Sequence, residues 1–71
     1  MTSHRQTALK LTAREIEIVR LIANGYSAKE AATSLDIAPS TVEHHVENVR
    51  MKTRSRNRVH MIAQVVQAKL I

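Results

Sequence analysis

The stretch SAKEAATSLDIAPSTVEHHVENVR, Ser27 to Arg50, decides the fold. Ser27 and Glu30 have the spacing of a capping box, and Tyr26 and Ala31 that of a hydrophobic staple. Ala28, Ala31, Ala32 and Leu35 recur at i, i+3, i+4 and i+7, which predicts a short helix with one face of small side chains. Asp36-Ile37-Ala38-Pro39 then interrupts it, because Asp tolerates tight turns and Pro is favoured at the first position of a new helix. The next helix is predicted from Pro39 to about Thr53. Ala38 would be its N-cap, with Ile37 and Val42 at staple spacing; Ser40 and Glu43 offer a rival capping box. The first frame is preferred because it puts Pro39 at its best position, although alanine caps poorly. Helix, short turn, helix is the grammar of the helix-turn-helix, but spacing alone does not separate a DNA reader from an ordinary helical hairpin.

The same signals extend outward. Thr12 and Glu15 form another capping box, with Leu11 and Ile16 as its staple. The helix they open carries Ile16, Ile18, Val19, Ile22 and Ala23 on one broad face, and Gly25 supplies its stop. Beyond the third helix, Asn57 can cap a fourth, Arg58 to about Leu70. Its apolar residues form two adjacent stripes: Val59, Ile62, Val66 and Leu70, and beside them Met61, Val65 and Ala68. One stripe suffices to pack on the core. Met61, Val65 and Ala68 are assigned to a partner surface. The expected architecture is all-α, a compact four-helix domain over residues 11–71, preceded by a polar arm or linker at residues 1–10.

Composition sets the limits. A chain of 71 residues without cysteine is one small domain that neither disulfides nor thiolate-bound metal can brace. With one Tyr and no Phe or Trp, its core must be aliphatic. Eleven Lys and Arg against six Asp and Glu give a formal charge of +5, which favours polyanionic partners, nucleic acid first. No apolar run approaches the ~20 residues of a membrane span, and MTSHRQTALK has no signal-peptide core. The expected location is the cytoplasm, with no membrane partner. No nucleophile–base set or phosphate loop is visible, so an enzyme is not expected.

From Leu11 to about Ala63 the chain resembles the LuxR-type helix-turn-helix domain. The resemblance is carried by Leu11-Thr12-Ala13-Arg14-Glu15, Ile22-Ala23-Asn24-Gly25, Ser27-Ala28-Lys29-Glu30, Leu35-Asp36-Ile37, Thr41-Val42, His45, Asn48, Lys52 and Asn57-Arg58, all in register. It implies a four-helix DNA-binding module of a transcription regulator, usually attached to a preceding receiver or sensor domain and often a homodimer through its last helix. It also implies that the third helix reads double-stranded DNA, with Glu43, His44 and Glu47 at base edges and Lys29, Thr41 and Lys52 on phosphates. The chain departs from the family at Thr53-Arg54-Ser55, where Leu-Gly and then Val or Ala are usual, and at Ala38, where Ser is usual. These departures bear on how the third helix starts and ends, and on its angle to the fourth.

A wheel at about 100° per residue puts Val42, Val46, Val49 and Thr53 on one side of the third helix, with His45 beside them. Val42, His45, Val46 and Val49 hold the helix to its domain. Ser40, Glu43, His44, Glu47, Asn48 and Met51 face away. His44 and His45 therefore diverge, and no metal or other cofactor is expected. Glu43 and Glu47 have three readings: they accept hydrogen bonds from cytosine, pair with nearby arginines, or repel phosphate. Arg50, Lys52, Arg54, Arg56 and Arg58 alternate beside the helix and are read as phosphate contacts. Two functions from different classes stand: a sequence-specific, dimerising DNA-binding regulator, and a protein-interaction module that captures a full-length regulator and binds DNA weakly or not at all.

Overall fold

A computed structural model describes residues 10–71, and the arm or linker expected at residues 1–10 falls almost wholly outside them. The described residues form four helices and no strand: α1 (Ala13–Ala23), α2 (Ala28–Leu35), α3 (Pro39–Lys52) and α4 (Arg58–Gln67). Both predicted capping boxes are closed. The Thr12 hydroxyl accepts from Glu15 N–H at 3.1 Å while the Glu15 carboxylate accepts from Thr12 N–H at 2.9 Å. Ser27 and Glu30 repeat the exchange at 3.1 and 2.8 Å. α3 starts in the frame with Pro39 in first position, and Ala38 makes no side-chain cap bond. The Asn57 side chain caps α4 through His60 N–H at 2.9 Å.

All four helices stop in the same way. The chain turns left-handed at Gly25, Asp36, Arg54 and Lys69, with φ of 96°, 57°, 55° and 60°. At each stop a backbone N–H reaches back to the last turn: Tyr26 to Leu21, Ile37 to Ala32, Ser55 to Arg50 and Leu70 to Val65. Arg54 thus does what a glycine would do more cheaply, so losing glycine there leaves the stop of α3 in place. A left-handed non-glycine residue costs about 1–2 kcal/mol, part of which is offset because glycine has more freedom in the unfolded chain. The Arg54→Gly variant is therefore expected to be more stable by about 0.5 kcal/mol, a rise in melting temperature of about 2–4 °C. A thermal melt showing an unchanged or lower midpoint would refute it.

The core is aliphatic throughout: Ile18 and Val19 from α1, Ala31 and Ala32 from α2, Val42, Val46 and Val49 from α3, and Met61 and Val65 from α4 are all buried. The small face of α2 lets α3 pack close against it, and α3 also packs on α1 and α4. Ala23, expected on the buried face of α1, lies in the exposed last turn.

One expectation is overturned. Met61 and Val65 cannot form a partner surface, because both are 0% exposed within the single chain. Ala68 is only half-buried, and it caps α4, which ends near Gln67 rather than Leu70. Within the adjacent stripe, Val59 and Val66 face outward instead, 80% and 50% exposed, while Ile62 and Leu70 are half-buried against the core. The turn between α3 and α4 sets this rotation. The Thr53 hydroxyl is buried but bonded to the carbonyls of Val49 and Arg50, at 2.9 and 3.1 Å, and to the Ser55 hydroxyl at 2.5 Å. Gln64 then donates to the Thr53 carbonyl at 3.0 Å, tying α4 to the end of α3.

Candidate nucleic-acid interface

The valines that hold α3 down leave its other side open. Thr41, Glu43, His44, Glu47, Met51 and Lys52 are exposed, and Asn48 is half-buried. His45 is half-buried on the packed side, its ring edge-on to that of His44 at 6.3 Å between centroids. Among the described residues, no three His, Asp or Glu side chains converge as metal ligands.

Both exposed glutamates of α3 are engaged by arginines. Glu47 takes a fork from Arg50, Nε at 3.0 Å to Oε1 and Nη2 at 2.6 Å to Oε2. The hydrogen bonds from Arg50, with its charge, hold the Glu47 carboxyl below the ordinary range against a smaller desolvation effect. The same bonds raise Arg50 further above its usual value. Arg50 Nη1 also donates to the Ser55 carbonyl at 2.8 Å, so its guanidinium spans the end of α3. Glu43 accepts from Arg58 Nη2 at 2.5 Å, an ion pair that crosses from α3 to the first residue of α4.

Lys52 is committed elsewhere. Its Nζ lies 2.8 and 3.1 Å from the two oxygens of Glu15, the buried capping residue of α1. Burial is the largest single influence on Glu15 and pushes its pKa up, but hydrogen bonds from Lys52 and Thr12, and the Lys52 charge, together hold it below the ordinary value. Lys52 therefore fastens α3 to α1.

Of the seven residues read as phosphate contacts, Arg50, Lys52 and Arg58 thus sit in ion pairs, and Thr41 is exposed. Lys29, Arg54 and Arg56 are exposed and form no side-chain ion pair among the described residues. The turn that presents Arg54 and Arg56 is built by residues the helical period does not point to. Beside Ser55 and Gln64, His60 Nδ1 accepts from Arg56 N–H at 3.0 Å. No pattern in the sequence marks Ser55, His60 or Gln64 for this work, because their partners are set by how the turn folds. The result is a helix whose exposed face carries paired carboxylates and a histidine, flanked at its end by two unpaired arginines.

Residues 9–65 match the family described as bacterial regulatory proteins, luxR family. Curated relatives include the response regulator protein VraR of Staphylococcus aureus (strain Mu3 / ATCC 700698), and that of Staphylococcus epidermidis (strain ATCC 35984 / DSM 28319 / BCRC 17069 / CCUG 31568 / BM 3577 / RP62A). Each is 41% identical over 61 residues, covering 86% of this chain and 29% of the relative. The chain thus spans less than a third of the length of these relatives. Among solved structures, the transcription factor GerE superposes with a TM-score of 0.82 at 32% identity, covering 84% of this chain and 90% of that one.

Proposed function

We propose, for a chain that belongs to the luxR family of bacterial regulatory proteins, a sequence-specific DNA-binding function in transcription regulation. α3 enters the major groove and presents Glu43, His44 and Glu47 to base edges. Lys29, Thr41, Arg54 and Arg56 take phosphates at its flanks. The observation that carries this reading is the face of α3 itself: its valines are buried, while its polar residues stand exposed beside an unpaired basic turn. A fixed helix with that face can enter a groove about 12 Å wide.

Two copies pair through the exposed side of α4, Val59 and Val66, and read half-sites about one helical turn apart. A role beside a receiver or sensor domain fits the response-regulator relatives, of whose length this chain covers 29%. Binding to DNA places its work in the cytoplasm, and among the described residues no helix is long and apolar enough to cross a membrane. The test is a selection from random duplexes followed by footprinting. The expected result is one enriched motif with two protected half-sites. A chain that enriches no duplex, yet forms a stable heterodimer with a full-length regulator, would favour the protein-interaction function instead.

A further inference from the structure

We propose that Glu43 and Glu47 select cytosine at two positions of one DNA strand, and that Arg58 and Arg50 are positioning residues that aim the two carboxylates. The inference rests on the major-groove reading of α3 given above. An ionised carboxylate only accepts hydrogen bonds. In the major groove guanine offers the acceptors N7 and O6, and thymine the acceptor O4, so a glutamate meets either with repulsion. Cytosine offers only the N4 amino donor, and adenine a donor beside an acceptor. Facing a glutamate, cytosine ranks first, adenine second, and guanine and thymine last.

The ion pairs make this readout workable. A carboxylate has about four acceptor sites, and the Arg50 fork occupies one on each oxygen of Glu47, leaving the others outward. Arg50 is anchored a second time on the Ser55 carbonyl, which a merely solvated surface pair does not need. Glu43 is engaged through Oε1 alone, and its Oε2 has no partner among the described residues. Each arginine also offsets the repulsion between its carboxylate and the phosphates lining the groove. Glu43 and Glu47 stand four residues apart on one helix, a rise of about 6 Å against 3.4 Å per base along a strand, so the two bases read lie within about two steps.

The test is a selection from random duplexes with the whole chain and its Glu47→Gln, Arg50→Gln and Arg50→Lys variants, each first checked for helix content. The unmodified chain is expected to prefer cytosine over guanine about tenfold at one position that Glu47→Gln alters. Glu47→Gln is expected to move that position toward adenine, whose N6 and N7 a glutamine amide pairs with. Arg50→Gln and Arg50→Lys are expected to flatten that position alone, since lysine keeps the charge and loses the fork. Replacing the cytosine by N4-methylcytosine, which loses its groove-side donor, should weaken the unmodified chain and spare Glu47→Gln. A motif that Glu47→Gln leaves unchanged, or a uniform rise in affinity for every duplex, would overturn the inference while leaving DNA binding intact. Failure of the unmodified chain to enrich any duplex would overturn the major-groove reading, and this inference with it.

Discussion

Truncation of Met61 to alanine is expected to cost the domain about 3 kcal/mol, the usual range for removing a buried methionine side chain. A domain of about 60 residues has only about 3–9 kcal/mol to lose, so the variant should melt at least 12 °C lower or be unfolded at room temperature. The prediction follows from Met61 being 0% exposed at the meeting of α4 with the core. The opposite outcome is expected one residue stripe away. Aspartate at Val59 and Val66, 80% and 50% exposed, removes no core contact and should leave the melting point within a few degrees. It should abolish pairing of two copies, read by sedimentation or light scattering at matched concentration. A Met61→Ala variant that stays folded and merely loses its partner would show that the stripes had been exchanged. A Val59→Asp/Val66→Asp variant that stays paired would remove α4 from the dimer proposal.

The contrast between those stripes marks where local pattern stops being informative. The two capping boxes, the Gly25 stop and the Pro39 start rest on contacts between residues three to five apart, and each is legible from spacing. The burial of Val42, Val46 and Val49 is legible too, because α3 has one apolar side. α4 has two, about 100° apart, and its own period cannot choose between them. The choice depends on the α3–α4 turn, closed by the Thr53 and Ser55 hydroxyls and by Gln64 reaching back eleven residues. The pairing of Glu43 with Arg58, fifteen residues apart, is invisible for the same reason. So is the engagement of Lys52 by Glu15, thirty-seven residues away. The Glu47–Arg50 pair, three residues apart, was among the readings that spacing allowed. What spacing could not show was the second anchor of Arg50 on Ser55, which turns a surface pair into a fixed element.

Salt should weaken DNA binding by an amount that counts the unpaired cations rather than all the basic residues near α3. Each phosphate neutralised contributes about −0.9 to the slope of log affinity against log salt. If Lys29, Arg54 and Arg56 take phosphates and Arg50, Lys52 and Arg58 keep their carboxylates, a pair of copies should show a slope of about −5. Raising salt from about 50 to 200 mM then costs about 2,000-fold in affinity. If all six cations exchanged onto DNA, the slope would be about −11 and the same change would cost more than a million-fold. The variants separate the two cases. Arg54→Gln is expected to reduce the slope by about 2 per pair of copies, with no change in the preferred sequence. Lys52→Gln is expected to leave the slope alone and lower the melting temperature, because it strands the buried carboxylate of Glu15. A measured slope near −11 would mean that DNA strips the ion pairs from α3, which would remove the arginines as positioning groups for Glu43 and Glu47. A slope near zero would remove phosphate contact, and with it the electrostatic basis of DNA binding by this domain.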